Sequence, residues 1–185
     1  MDEKKKILLA AAWYKGSGGT LSLIDHIIQL EESFLGYQEG PGGWTQFGQW
    51  YADNIAHDPA FATADWCEMF QTYCVYHCGV DGSVWPYVSP YGSAVNWMAQ
   101  WMNARSYAIN KISQMPRRGD VVAYSWTSDP NNLDHAGMIV EVTGLLPSTA
   151  QLKVIEGNKS DTVGYRNIAY QDSQVCYVFR PPYHR

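Results

Sequence analysis

Residues 64–74 read Ala-Asp-Trp-Cys-Glu-Met-Phe-Gln-Thr-Tyr-Cys, and the rest of the chain is organised around this stretch. The pattern predicts a helix start, because Asp65 can accept hydrogen bonds from free backbone N–H groups and Glu68 can reach back to Asp65. Cys67 then falls in the first helical turn, where the helix dipole favours negative charge. Since the thiolate is the reactive form of cysteine, Cys67 is a candidate nucleophile. The residues leave open a second interpretation, a small buried hydrophobe.

Length and composition indicate one globular domain. The chain has 185 residues, of which 46% are hydrophobic and 17% charged. The net charge is −5 and no basic cluster is interleaved with aromatics, so the sequence argues against a nucleic-acid partner. No apolar run approaches the length of a membrane span. We expect residues 1–20, which contain Gly16-Ser17-Gly18-Gly19, to be an N-terminal extension or linker and residues 21–185 to be the folded domain.

The periodicity of apolar residues changes once along the chain. Helical spacing predicts helices over residues 22–35, from 45 to about 55, from the cysteine stretch to near 79, and from 93 to about 104. After Pro116, strand patterns follow over residues 120–126, 135–142, 152–158, 163–170 and 175–180. Helices first and an antiparallel sheet of about five strands afterwards predict an α+β fold, with the N-terminal helices packed on the sheet.

A cysteine nucleophile needs a base, and the base needs a partner that orients it. His135 opens an apolar strand, where its ring could stand over the start of a packed helix, although a strand-edge histidine without a catalytic role fits equally well. Glu156 and Asn158 lie two residues apart on the next strand pattern and should project to the same face. Either side chain can accept a hydrogen bond from a histidine ring, and both are also compatible with a turn.

At this point the chain resembles a known family. The segments that carry the resemblance are Trp66-Cys67 at a helix start, Arg118-Gly119-Asp120-Val121-Val122, Asp134-His135-Ala136-Gly137-Met138-Ile139-Val140 and Ile155-Glu156-Gly157-Asn158. They are similar in kind and order to the motifs of the CHAP family, the cysteine, histidine-dependent amidohydrolases/peptidases with a papain-like fold. The resemblance covers roughly residues 22–182.

The resemblance implies hydrolysis of an amide bond in bacterial peptidoglycan, by an N-acetylmuramoyl-L-alanine amidase or an endopeptidase. It implies that Cys67 is the nucleophile, His135 the general base and acid, and Glu156 the residue that orients His135. Asn158 matches a further polar position of the family beside the site. It also implies action outside the cytoplasm, in a secreted, cell-wall or phage-associated protein. We expect a monomer that acts alone or as one module of a larger protein, with peptidoglycan peptide as its partner.

Some members of the family bind calcium through an acidic loop before the cysteine. The corresponding residues here, 58–65, lack closely alternating oxygen ligands, so we predict no metal, and nothing in the sequence calls for a cofactor. No glutamine precedes Cys67 closely enough to serve as an oxyanion donor, so the Cys67 backbone N–H is a candidate and its partner donor stays unassigned.

Two of the other cysteines are candidates for a disulfide. No pair of cysteines has C-x-x-C spacing, and Cys78 and Cys176 could form a disulfide if the last strand passes the end of the cysteine helix.

The competing functions are a cysteine amidase or peptidase with a substrate other than peptidoglycan, and an inactive binding module of the same fold.

Overall fold

The computed structural model describes residues 22–87 and 94–183. Within these two ranges there are four α-helices, α1 to α4, with the bounds Leu23–Glu32, Gln46–Tyr51, Cys67–His77 and Ala94–Ala104. Five strands, β1 to β5, follow as Val121–Tyr124, His135–Thr143, Gln151–Glu156, Gly164–Ala169 and Val175–Phe179. The predicted α+β class with a five-stranded antiparallel sheet is therefore confirmed. The predicted N-terminal extension lies outside the described residues, and the domain boundary stays a prediction.

The strands are ordered β4-β3-β2-β1-β5, and every neighbouring pair is antiparallel. Strand β2, which begins at His135, is thus the central strand, and it aligns His135 with Tyr124 of β1. Both faces of the sheet are covered: Met138 belongs to the main core with the helices, and Ile139 belongs to a smaller cluster on the other face. Because the two faces are covered, the first six residues of β2 are all buried.

Helix α3 lies at the centre of the molecule. It packs on β2 and β3 and against α1, α2 and α4. Accordingly, all nine residues from Cys67 to Val75 are buried, which leaves the helix little amphipathic character. A helix that is enclosed in this way holds its first residue at a constant position relative to the sheet.

The predicted capping of α3 is wrong, although the predicted position of the helix start holds. The N-cap residue is Trp66, and its side chain makes no capping hydrogen bond. Glu68 does not reach back to Asp65; its carboxyl is 2% exposed and accepts a hydrogen bond from Thr72. The physical reason is tertiary, because Glu68 packs into the core and Asp65 bonds to a residue far along the chain, as described below.

The other helices follow their local signals more closely. Ser22 caps α1 through a capping box with Asp25. The helix ends at Glu32 rather than at residue 35, and the chain turns at Gly36, which has a φ of +79° and donates to the Val163 carbonyl. Thr45 caps α2, after which the chain continues through a π-helical turn, Ala52–Ala56, and a 3₁₀ helix, Pro59–Thr63.

The hypothesised disulfide between Cys78 and Cys176 is absent, since all four cysteines are free. Cys78 lies at the end of α3 beside Glu31, whereas Cys176 on β5 lies beside Lys111. The two thiols thus lie in different surroundings. In the part of the chain that the structure describes, no helix has both the length and the apolar character needed to cross a bilayer.

Candidate active site

A cleft of about 820 Å³ opens where the start of α3 meets the sheet. Its walls come mainly from the start of α3 and the residues before it, the start of α4, the segment between β1 and β2 with the first residue of β2, and the residues after β3, and Arg166 of β4 completes them. Polar and charged residues that line it include Asp65, Cys67, Asn96, Asp134, His135, Asn158, Lys159 and Arg166. The side chains predicted for the site therefore gather in one cleft, with the exception of Glu156, which lies behind its wall.

Cys67 is the first residue of α3 and is 2% exposed. Because the N-cap residue Trp66 provides no side-chain acceptor, the first backbone N–H groups of the helix are not capped by it. Trp66 itself is anchored: its indole stacks on Phe47 at a centroid distance of 5.5 Å and its Nε1 donates to Glu39 at 3.1 Å. The helix start is thus held by buried contacts, while its N–H donors stay available to a negatively charged group.

The ring of His135 is held between Glu156 and Cys67. Its Nε2 lies 3.0 Å from Oε2 of Glu156, and His135 is 5% exposed. Cys67 lies close enough to the ring to interact with it electrostatically, and Nδ1 is the ring nitrogen that Glu156 does not engage. Three side chains from α3, β2 and β3 therefore form a connected series from Cys67 through His135 to Glu156.

The charges of this series stabilise one another. Burial lowers the pKa of His135, but its interactions with Cys67 and Glu156 raise it by more, so the net shift is upward. Burial raises the pKa of Glu156, but His135 and Arg166 lower it by more, so the net shift is downward. The arrangement thus favours a protonated imidazolium at His135 beside an ionised carboxylate at Glu156.

Sequence reasoning missed Arg166. This residue lies on β4, where it aligns with Val154 of β3, and its Nε donates to Oε1 of Glu156 at 2.8 Å and to Oε2 at 3.0 Å. Its guanidinium lies 5.0 Å from the ring centroid of Trp126 and 5.6 Å from that of Tyr124. No local pattern marks this arginine, because its role depends on the register between β3 and β4.

Two glycines of the motifs leave space for the close packing of segments at the site. A Cβ atom on Gly137 would lie 2.7 Å from Cγ of Glu156, so only glycine leaves space for that side chain beside β2. A Cβ atom on Gly157 would lie 2.6 Å from Cβ of Phe70 and 2.9 Å from the Trp66 ring. Gly157 thus lets the end of β3 approach the start of α3.

Asn158 occupies the cleft but not the position expected from strand alternation. Strand β3 ends at Glu156, and Asn158 has a left-handed backbone with a φ of +53°. Its Nδ2 donates to Oδ1 of Asp65 at 3.0 Å rather than serving His135. The expectation that Glu156 and Asn158 project together on one strand face is therefore wrong, because the chain leaves the strand between them.

The remaining cysteines differ from Cys67 in their surroundings. Burial raises the pKa of Cys74 well above its usual value and that of Cys78 to about 12. Burial also raises the pKa of Cys176. All three thiols are thus kept in the unreactive, protonated form.

The described residues contain no group of three or more His, Cys, Asp or Glu side chains that could hold a metal ion. The segment discussed as a possible calcium loop instead forms the 3₁₀ helix Pro59–Thr63, and Asp58 accepts a hydrogen bond from the Ala60 backbone. The absence of a metal and of a cofactor stays a prediction.

Comparison with protein families gives one match. The model of the CHAP domain matches residues 58–158, which is more than half of the chain and includes Cys67, His135, Glu156 and Asn158. No curated protein and no solved structure matches the chain. The α+β arrangement described above is that of the papain-like CHAP fold. The chain therefore belongs to the CHAP family, whose members are cysteine, histidine-dependent amidohydrolases/peptidases.

Proposed function

We propose that this protein hydrolyses an amide bond of bacterial peptidoglycan, with Cys67 as nucleophile, His135 as general base and acid, and Glu156 as the residue that orients His135. The observation that carries the proposal is the connected series from Cys67 at a helix start to His135 and Glu156. Membership of the CHAP family supports the reaction class. The choice of peptidoglycan as the substrate rests on the resemblance of the sequence motifs to those of the CHAP family.

The first half of the reaction forms a thioester. The Cys67 thiolate attacks the carbonyl carbon of the scissile amide, and the carbonyl π electrons move to the oxygen. Backbone N–H groups at the start of α3 stabilise this oxyanion, because the helix dipole and the uncapped donors favour negative charge there. The C–N bond then breaks as the His135 imidazolium gives its proton to the departing amine.

The second half releases the acid. Neutral His135 takes a proton from water, the resulting hydroxide attacks the thioester carbon, and the C–S bond breaks to restore the thiolate. The new imidazolium is stabilised by Glu156, whose carboxylate is completely buried and accepts from both His135 and Arg166. Each turnover therefore consumes one amide and one water and leaves the protein unchanged.

The cleft is suited to an extended peptide. Trp126, which lines it, is 41% exposed and provides an aromatic surface beside His135 at a ring distance of 5.5 Å. Asp65, Asp134, Lys159 and Arg166 bring both signs of charge to the walls. Peptide stems that carry amines and carboxylates match such a surface. Since peptidoglycan lies outside the cytoplasmic membrane, we propose action at the cell wall, by a secreted or phage-associated protein.

Digestion of purified peptidoglycan tests this function. We expect soluble fragments with wild-type protein and none with Cys67→Ala, and Cys74→Ala, whose thiol lies on the same helix, should retain the activity. Mass analysis of the fragments then distinguishes a cut between muramic acid and L-alanine from a cut within the peptide. Cleavage by a folded Cys67→Ala variant would refute the mechanism. Failure of the wild type to release any fragment, while Cys67 still reacts with thiol reagents, would favour another amide substrate.

A further inference from the structure

We propose that Arg166 is a positioning residue for catalysis, which holds Glu156 in the orientation and ionisation state that His135 requires. This inference rests on the proposed roles of His135 and Glu156. It concerns a residue on β4, outside residues 58–158 that match the family model.

The hydrogen bonds of Glu156 show why its orientation depends on Arg166. Oε1 accepts from Arg166 alone, at 2.8 Å, and Oε2 accepts from Arg166 at 3.0 Å and from His135 at 3.0 Å. Both oxygens of the carboxylate are thus engaged from one side by a single guanidinium. Without Arg166, the carboxylate would lose both of its Arg166 hydrogen bonds and could rotate away from His135.

Burial shows why the charge of Glu156 also depends on Arg166. The Glu156 side chain is completely buried, and an isolated carboxylate in such a place would take up a proton. Arg166 supplies a permanent positive charge beside it and thereby lowers the pKa of Glu156. A protonated Glu156 would no longer stabilise the imidazolium of His135.

Aromatic rings hold the guanidinium in place. Trp126 and Tyr124 stack on each other at a centroid distance of 5.7 Å, and both rings lie within 6 Å of the Arg166 guanidinium, at 5.0 and 5.6 Å. The Arg166 side chain is 27% exposed and lines the cleft. A cation confined in this way loses little further freedom when it binds the carboxylate.

Other titratable groups near His135 need to be considered in any pH dependence. Cys67 faces the ring from α3, Glu156 from β3, and Tyr124 from β1 at a ring distance of 5.8 Å. Asp134 precedes His135, and its carboxylate accepts from the Trp126 backbone at 2.8 Å. Burial and the negative charge of Glu156 raise the pKa of Tyr124 well above its usual value, so Tyr124 stays neutral over the range of interest.

The same chain offers a matched control pair. Arg180 binds Asp120 with two hydrogen bonds, of 2.9 and 2.7 Å, and the side chains are 27% and 4% exposed. This ion pair resembles that of Arg166 and Glu156 in burial and in engaging both carboxylate oxygens, but Arg180 donates from two nitrogens and the pair borders a different cavity. Arg180→Met therefore measures how the loss of a buried ion pair outside the candidate site affects stability and activity.

The experiment compares Arg166→Met, Arg166→Lys and Arg180→Met in two assays over a range of pH. The first is peptidoglycan hydrolysis. The second is alkylation of Cys67 by iodoacetamide, measured by mass spectrometry of the Cys67 peptide, which needs no substrate. A failure of the proposed function thus affects only the first assay, and the second still tests the inference.

We expect Arg166→Met to lower kcat about 10- to 100-fold with little change in KM, as loss of an orienting partner commonly does. The acid limb of both pH profiles should move to higher pH, because the pKa of Glu156 rises when the guanidinium is removed. Arg166→Lys should restore the position of the acid limb but only part of kcat, because a flexible ammonium does not reproduce the fixed direction of the Nε–H donor that binds both oxygens. Arg180→Met should lower the melting temperature and leave both profiles unchanged.

Two results would overturn the proposal. One is an Arg166→Met protein that is destabilised like Arg180→Met but whose acid limb stays at the wild-type pH. The other, decisive if Arg166→Met does not fold, is an Arg166→Lys protein with the wild-type kcat, since the geometry of the guanidinium would then have no role.

Discussion

The side-chain amide of Asn158 donates a 3.0 Å hydrogen bond to the carboxylate of Asp65, across 93 positions of sequence. Asp65 lies two residues before Cys67, within reach of the first backbone N–H groups of α3. The bond to Asn158 holds this carboxylate away, and the N-cap residue Trp66 makes no side-chain capping bond. The hydrogen bond between Asn158 and Asp65 therefore bears on the backbone N–H groups at the start of α3, which are the proposed donors to the oxyanion.

Removing the side chain of Asn158 should therefore slow catalysis through Asp65. Asn158→Gly is the suitable change, because glycine adopts the φ of +53° without strain. We expect kcat/KM to fall about tenfold or more, as the freed Asp65 carboxylate competes for the N–H groups that stabilise the oxyanion. The double variant Asp65→Ala/Asn158→Gly should recover most of the activity, and Asp65→Ala alone serves as the control. A double variant as slow as Asn158→Gly would contradict this explanation.

The hydrogen bond between Glu156 and His135 predicts a change in the alkaline limb of activity. Glu156 raises the pKa of His135, so His135 stays protonated to a higher pH than it would alone. In Glu156→Gln the charge is lost, the pKa of His135 falls, and the alkaline limb should move to lower pH, with kcat/KM reduced roughly 10²-fold at neutral pH. NMR titration of the His135 ring measures the same shift without substrate. An unchanged ring titration would show that Glu156 does not act on His135.

The space left by Gly137 predicts a specific steric effect. In Gly137→Ala the added methyl group would meet Cγ of Glu156 and Cγ1 of Val154, each at 2.7 Å. We expect a loss of about 1–3 kcal/mol of folding free energy and a marked fall in kcat. Gly164→Ala on β4 is the control, because its nearest neighbour would be Cδ of Lys159 at 3.6 Å. Equal tolerance of both substitutions in thermal melts and activity assays would contradict this account.

The buried carboxyl of Glu68 predicts how stability depends on pH. Burial raises the pKa of Glu68 to about 8, so the folded state keeps the proton that the unfolded chain releases near its usual pKa of 4.5. The contribution of this group is therefore fully present below pH 4.5 and is lost as the pH rises towards 8, with a slope of at most about 1.4 kcal/mol per unit. Glu68→Gln should remove this slope. Urea denaturation at several pH values checks it, and an unchanged slope would mean that Glu68 is ionised in the folded protein.

Much of the fold follows from local patterns in the sequence. The five strands lie within two residues of their predicted bounds, because alternation of apolar residues reflects which side chains point to a core. Helix α1 starts where its apolar spacing predicts, and Ser22 caps it, since its acceptor and the backbone N–H of Asp25 are neighbours in sequence. Local interactions of this kind do not depend on how distant segments pack.

The candidate site was predictable only in part. Cys67, His135 and Glu156 come together as the order of the motifs indicates, and their catalytic roles stay a prediction. Asp65 and Glu68 carry a local capping signal that the structure does not use, because Asp65 is bonded by Asn158 and Glu68 packs into the core. At these two residues, which flank the candidate nucleophile, tertiary contacts outweigh the local capping propensity.

The sequence by itself determined the α+β arrangement, the start of α3 at Cys67, and the identity of the three groups in the connected series. Only the tertiary structure decided that Arg166 binds Glu156 and that Asn158 binds Asp65. The first pairing requires the register of β3 and β4, and the second requires that the end of β3 approach α3 at Gly157. Both depend on distances between segments that are remote in sequence, which periodicity and capping rules do not contain.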